Sequence, residues 1–364
     1  VAASGKQRDS LLVGENARRN DVNQAWEQDN QAWWDWYVSL AEDVDVTALQ
    51  AEHDEHVADP RSALLPAAAL PDDRVILEQL SMPYALSADA AAAFRRNGFI
   101  KLPHVLSREA VSRLRLEMRR LLEQAFDAQL DGGLRDRFLS LDMIWRENAL
   151  IRAFVLSPRI AGICAGLLGV ERLRLYHDNL MSKEPRCGRT PWHHDDHHFP
   201  LATHDVVTAW IPAQPIPRRM GPLAFAGPID VWKLVADVEF NKFDTSYDRR
   251  VSETFHRHRV TIEDGPFALG EVSFHHNLSF HTAGANHTDC SRLVLANTYY
   301  ADGARVVDQP TMVSGDWQRF IPGTGPGEPA ASPLNPVCWP AVADGASTPS
   351  PDDSDPPADS TPRE

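Results

Sequence analysis

The apolar positions change period partway along the chain. In the first half they recur every three or four residues, as on helices. In the second they alternate, or form short unbroken runs between Gly and Pro, as in strands. Residues 22–42 read as a helix with Trp26, Trp33, Trp34, Tyr37 and Leu40 near one face and Asp21 or Asn23 as its cap. Residues 43–82 are acidic and rich in Pro and Ala, and are expected to be irregular connection. Ser87 caps a helix over Ala88–Asn97 that Gly98 ends, Phe99–Leu102 reads as a strand, and Ser107 caps a long helix. The stripe of that helix is Val111, Leu114, Met118, Leu121, Leu122, Ala125 and Phe126, and Asp131-Gly132-Gly133 breaks it. A further helix follows Ser157-Pro158, with Ile160, Ile163 and Leu167 inward.

Strand-like pieces then recur over 173–181, 192–197, 206–211, 223–225, 272–281 and 293–300. The expected class is mainly β, a sandwich or barrel flanked by N-terminal helices. Residues 228–262 interrupt the strands with a charged insertion carrying Trp232, Phe240, Phe243, Tyr247 and Phe255, read as a lid with Tyr247 among its substrate-lining candidates. From about Pro326 the chain becomes rich in Pro, Ser and Asp, and disorder is expected there, most strongly over 341–364. The division is thus 1–82 as an N-terminal extension, 83–325 as the body and 326–364 as a tail.

Charge sharpens this division. The net charge of −15 sits at the ends: residues 21–60 carry eleven acidic side chains and no Lys or Arg, and residues 341–364 carry six acidic side chains and one Arg. The body is near neutral, which argues against a nucleic-acid partner. No run approaches the roughly 18 apolar residues of a membrane span, so no membrane partner is expected. The first residues lack a signal-peptide pattern, and the four cysteines show no CxxC spacing; a cytoplasmic location is expected. The Trp-rich helix is expected to pack on the body, with a homodimer contact as the sharper alternative.

The candidate chemistry lies in residues 190–200, where four imidazoles and two carboxylates occupy six consecutive positions. On an extended segment His193 and Asp195 share a face and can converge on one ion. His197 and Phe199 share that face and are candidates to touch substrate, whereas His194 and Asp196 point the other way. The best third ligand is His281, at the end of an apolar run and before the small-residue turn Thr282-Ala283-Gly284. His275 has the same strand parity, so alternation alone leaves it open; His275 and His276 are otherwise read as core residues or as residues that support the ligands. Arg292 opens the next strand and can hold a carboxylate bidentately. Two His, one carboxylate and a buried Arg are what 2-oxoglutarate chemistry at iron requires.

Three blocks in order resemble the phytanoyl-CoA dioxygenase-like (PhyH) family of Fe(II)/2-oxoglutarate oxygenases. They are residues 97–107 (NGFIKLPHVLS), 183–185 with 190–195 (KEP and TPWHHD), and 270–275 with 281–286 (GEVSFH and HTAGAN) followed by Arg292. The resemblance spans about 86–302. It implies a double-stranded β-helix (jelly-roll, cupin-like) core, Fe(II) on His193, Asp195 and His281, 2-oxoglutarate on Arg292, and O2 as the second cosubstrate. It also implies that Lys183, Asn179 and Trp210 line the cosubstrate pocket. Ala283 stands where the family often has a Ser whose hydroxyl helps bind the distal carboxylate, so Thr282 or Thr298 is expected to substitute. Halogenases of the family have Gly or Ala where this chain has Asp195, so hydroxylation, desaturation or ring closure of an unactivated C–H is expected, with release of succinate and CO2. The composition, rich in Ala, Arg and Asp and poor in Lys, fits a bacterium of high genomic GC and a small-molecule secondary metabolite as substrate. The alternatives are a primary metabolite or acyl-CoA substrate, or a non-enzymatic metal-binding protein of cupin type.

Overall fold

The computed structural model describes residues 59–240, 244–310 and 317–340. The Trp-rich helix, Phe243 and the tail over 341–364 lie outside the described residues. The helices are α1 (Asp73–Ser81), α2 (Ala88–Asn97), α3 (Arg108–Phe126), α4 (Ala149–Val155), α5 (Pro158–Leu168) and α6 (Ser246–His258). The strands are β1 (Phe99–Leu102), β2 (Phe138–Asp142), β3 (Leu173–Lys183), β4 (Thr190–His193), β5 (Val206–Pro212), β6 (Leu223–Gly227), β7 (Thr261–Glu263), β8 (Val272–His276), β9 (His281–Ala283), β10 (Arg292–Ala301) and β11 (Val337–Trp339).

Two antiparallel sheets face each other. The larger runs β1-β8-β5-β10-β3-β11, with β2 also on β3; the smaller runs β4-β9-β6-β7. This is the expected jelly-roll. Alternation along the large sheet divides its two faces. Leu180, Val207, Ala209, Ile211, Val272, Phe274, Leu293 and Leu295 form one core with Leu114, Met118, Phe154, Ile160, Ile163 and Leu167 of the helices. Their strand neighbours Trp210, Val294 and Ala296 face the small sheet and meet Phe225 and Ala283 inside the barrel. The outer face is thus sealed by helices, and the inner face is left for the site.

The local signals behave as the residues dictate. Ser87, Ser107 and Ser157 each accept a backbone N–H at the start of α2, α3 and α5, and Gly98 closes α2 at φ +84°. Several expectations change. Residues 43–82 are not all irregular: α1, capped by Asp72, buries Ile76 and Leu80 in the main core. The tail does not begin at Pro326, because β11 pairs with β3, Asn335 is buried with its amide donating to Leu175 O (3.1 Å) and Phe320 O (3.0 Å), and Cys338 joins the core. The strand expected over 192–197 stops at His193 and passes into a 3-10 turn, Asp195–His197. The run 272–281 is two strands in different sheets. His276 makes the break, its Nδ1 accepting Leu278 N–H (3.1 Å) and its carbonyl accepting Ser279 N–H (2.8 Å). Finally, Ala149–Leu168 is long and apolar enough to cross a membrane by length and composition, contrary to the first reading. It is bent at Ser157-Pro158 into α4 and α5, and most of it is buried in the main core.

One buried polar pair has a measurable consequence. Asp178 and Asn297 face each other across β3 and β10, both fully buried. Burial pushes the Asp178 carboxyl up to about 7, against the backbone N–H bond it accepts from Ile144. The folded protein therefore keeps a proton that the unfolded chain loses near pH 4. Stability contributed by this group is present below that pH and falls as pH rises toward 7, by at most about 1.4 kcal/mol per pH unit. Asp178→Asn removes the dependence. Its Tm relative to wild type should rise between pH 4 and 7 and then level off; a pH-independent difference in scanning calorimetry would refute the assignment.

Candidate metal centre

The register between β4 and β9 sets His193 opposite His281, with ring centroids 4.2 Å apart. Asp195, at the head of the 3-10 turn, brings Oδ1 to 3.9 Å from His193 Nε2 and 3.7 Å from His281 Nε2. The three ligand atoms lie within 4.8 Å of one another. His193 Nδ1 is 2.8 Å from Pro191 O and His281 Nδ1 is 3.0 Å from Ser279 O. A carbonyl only accepts, so each Nδ1 carries the proton and each Nε2 lone pair is free for a metal. Burial lowers the pKa of both imidazoles, which favours the neutral, ligating form. Burial works against the Asp195 carboxylate; the charge that His281 carries when protonated, and His275 beside Oδ2, outweigh it and hold Asp195 well below the usual carboxylate range, and with the imidazoles neutral a bound cation would take over that task. Two neutral imidazoles and one carboxylate oxygen brought together in this way suit Fe(II).

His275 is the neighbour that strand parity left open. Its Nε2 lies 3.3 Å from Asp195 Oδ2, and its ring is 4.5 Å from that of His281. Thr208, its partner across β5 and β8, approaches the same oxygen at 3.4 Å and bonds Thr298 at 3.0 Å. Thr298 therefore stands at the metal end of the barrel. His194 and Asp196, expected to point away from the ligand face, are both buried. His194 is buried and stacks near His197 (4.1 Å) and Phe280 (4.9 Å), and buried Asp196 bonds His204 (2.9 Å) and Asn277 (3.0 Å).

Arg292 is buried at the other end of β10. Its guanidinium lies 5.3 Å from the Trp210 ring, and Nη1 donates to Gly221 O. Gly221 has φ +71°, and a Cβ there would lie 2.1 Å from Gly284 O, so the corner closes only with glycine. Burial pushes the Arg292 pKa down to about 10, and among the described residues its buried Nε has no hydrogen-bond partner. A buried cation with an unpartnered donor fits a carboxylate. Lys183 sits opposite Arg292 in register, but its ammonium is already satisfied by Gly188 O (2.8 Å), Gly284 O (2.8 Å) and Thr190 Oγ1 (3.2 Å). Thr282 lies on the opposite face of β9 from His281 and Ala283, and its hydroxyl bonds Thr190 O and Arg189 (2.9 Å). Neither Thr282 nor Thr298 stands beside Arg292 as a substitute hydroxyl. Asn179 Oδ1 accepts from Ser140 (2.8 Å) on the inner face of β3.

That inner face is open. His177, Asn179 and Met181 are half-buried, whereas Asp178, Leu180 and Ser182 on the outer face are fully buried. Phe199 packs on Tyr176 (4.9 Å) and His177 (6.1 Å), and Phe320 on His177 (4.9 Å). His197 stacks on Phe240 (4.4 Å) of the insertion. Tyr247 is buried in a cluster with Phe255 of the insertion and Trp192 and Phe280 of the body, so it packs the insertion against the barrel. The insertion is fastened by a buried pair: Arg189 to Asp248 of α6, whose Oδ1 also accepts Trp192 N–H (2.7 Å). Asp248→Ala leaves that guanidinium without its partner and should cost about 3–5 kcal/mol, whereas the apolar pair Arg189→Met/Asp248→Leu should recover most of it. Urea unfolding checks this; equal losses in both variants would count against it.

A model of the phytanoyl-CoA dioxygenase (PhyH) family matches residues 94–294. The peroxisomal phytanoyl-CoA dioxygenase of Mus musculus is 23% identical over 258 residues, covering 65% of this chain and 73% of the mouse protein. Among solved structures, the non-heme alpha ketoglutarate dependent carbocyclase SnoK from nogalamycin biosynthesis is 25% identical with a TM-score of 0.58, covering 70% of this chain and 99% of SnoK. The epimerase SnoN from the same biosynthesis (24%, TM-score 0.54, 73% and 100% covered) and iron-bound EctD from S. alaskensis (20%, 0.50, 68% and 89%) share the fold.

Proposed function

The chain belongs to the phytanoyl-CoA dioxygenase family, and on that premise we propose that it is an Fe(II)/2-oxoglutarate-dependent oxygenase that oxidises an unactivated C–H of a small molecule. The observation that carries this reading is the pairing of two features in one barrel: the cluster of His193, Asp195 and His281, and the buried Arg292 with its unpartnered Nε. When bound, iron(II) and 2-oxoglutarate supply with O2 the oxidant for the C–H bond, 2-oxoglutarate leaving as succinate and CO2 while one oxygen atom goes to the product.

The residues have separate tasks. His193, Asp195 and His281 hold the metal on one side. Arg292, oriented by Gly221 O and the Trp210 face, takes the distal carboxylate of the keto acid. Asp195 fills the position that a halide would need, which favours hydroxylation over halogenation. The half-open face of His177 and Asn179, flanked by Phe199, Phe320 and His197, offers apolar rings and a few polar groups, the usual lining of a small-molecule site. A secondary metabolite as substrate is supported by the likeness to SnoK. The mouse relative supports an acyl-CoA as the second reading. The four cysteines, all buried, fit a reducing cytoplasm.

Succinate release on supplying iron(II), 2-oxoglutarate and O2 tests the reading, and a protein that binds metal without turnover releases none above background. Asp195→Ala should abolish release; full activity in that variant would reject the triad. Arg292→Gln should raise the KM for 2-oxoglutarate by about ten- to a hundredfold, as expected for losing a charge-assisted bond of about 1.5–3 kcal/mol. An unchanged KM would assign the distal carboxylate to another cation.

A further inference from the structure

We propose that His275 is a positioning residue for Asp195: it holds Oδ2, so that the carboxylate offers the metal Oδ1 alone and one coordination position stays open for O2. This rests on the reading of the site as an iron/2-oxoglutarate centre.

The two oxygens of Asp195 have different surroundings. Oδ1 faces His193 Nε2 and His281 Nε2 at 3.9 and 3.7 Å. Oδ2 faces His275 Nε2 at 3.3 Å and Thr208 Oγ1 at 3.4 Å. The tautomer of His275 follows from burial. Its Nδ1 is buried and, among the described residues, has no partner. A proton there would be a buried donor without an acceptor, and the bare Nε2 lone pair would then face a carboxylate oxygen. The proton therefore sits on Nε2, the ring nitrogen 3.3 Å from Oδ2. Both donors are fixed by the sheet. Thr208 and His275 are cross-strand partners, and the Phe225 ring, 5.6 Å from that of His275, packs beside them.

Coordination arithmetic gives this contact its use. An octahedral iron has six positions. Two imidazoles and one carboxylate oxygen fill three, and a chelating keto acid fills two. If Asp195 turned to bind through both oxygens, it would take the sixth. A hydrogen bond to Oδ2 opposes that turn, at a distance that leaves room to tighten when Oδ1 binds metal.

The test compares His275→Phe, which keeps a ring but removes the donor, with His275→Gln, which returns an N–H near the Nε2 position. Nitric oxide serves as the probe for the O2 position, without O2 and in the presence of iron(II) and 2-oxoglutarate. Three readouts are taken: iron affinity, the visible charge-transfer band of the iron–keto acid complex, and the nitrosyl electron paramagnetic resonance signal. His275→Phe should keep iron but bind nitric oxide about tenfold or more weakly, and His275→Gln should restore binding. Wild-type nitric oxide affinity in His275→Phe would overturn the proposal. If His275→Phe does not fold, His275→Asn takes its place, since the shorter amide cannot reach Oδ2; equal nitric oxide binding in the Asn and Gln variants would overturn it equally. Absence of the charge-transfer band in the wild-type protein would instead reject the reading of the site on which the proposal rests.

Discussion

The site depends on one constraint: a carboxylate must stay ionised inside the barrel. Burial alone would protonate Asp195. Three imidazoles and a hydroxyl surround it, and positive charge among them, on a protonated His281 or on a cation that His193 and His281 would hold, reverses that preference. The surrounding groups come from four different strands, and each strand is fixed by its own pairing. His193 and His281 face each other because β4 and β9 are in register, and Thr208 and His275 because β5 and β8 are. Without a cation, the cluster is a partly satisfied polar network in a low-dielectric setting, which a bound divalent ion would complete. The same arrangement that is costly to fold is what makes the position selective for a cation.

The division of the large sheet into two faces explains how one fold accommodates both needs. Leu, Ile, Val and Phe on the outer face lock onto α3, α4 and α5, and this packing supplies the bulk of apolar burial. The inner face can then carry Thr208, Asn179, His177 and Arg292 without endangering the fold. Arg292 and the metal cluster lie toward opposite ends of one barrel, with Trp210, Val294 and Ala296 between them. That separation gives a two-ended ligand such as a dicarboxylate a defined direction.

Much of this was legible in the residues. The Ser caps, the Gly98 terminus and the α3 stripe as far as Leu122 each rest on a local rule and stand where the rule put them, whereas Ala125 is exposed and the helix ends at Phe126, before the Asp131-Gly132-Gly133 break. His193, Asp195, His281 and Arg292 could be picked out because spacing and resemblance agreed. What escaped depended on tertiary partners. Whether 272–281 is one strand or two is decided by the His276 turn, which no alternation pattern encodes. Asp195 reaches the metal position through a 3-10 turn and not through i, i+2 alternation, so a correct pairing came from a wrong local geometry. The burial of Asp196 depends on His204 and Asn277, the latter 81 residues away. Resemblance placed Lys183 in the lining of the cosubstrate pocket, but nothing in its own sequence neighbourhood shows that its ammonium meets the carbonyls of Gly188 and Gly284. Parity did contain a signal for His275; it could not distinguish a ligand from a group that holds a ligand.

The insertion poses the remaining question of why it should be tied to the barrel by a buried ion pair. Apolar contacts of Tyr247, Val251 and Phe255 with Trp192 and Phe280 already hold α6 against the small sheet. Adding Arg189 and Asp248 beneath them gives little net stability, because desolvating two charges offsets most of their attraction. The pair does specify geometry. Asp248 accepts the N–H of Trp192, the residue before His193, and Arg189 bonds the hydroxyl of Thr282, the residue after His281. The two histidines of the metal cluster are thus each adjacent to a residue fixed by the same buried pair. A shift of α6 would disturb both strands at once, so the insertion and the spacing of the two imidazoles are mechanically linked. An apolar replacement could pack as well, but it would hold neither Trp192 N–H nor Thr282 Oγ1 in place.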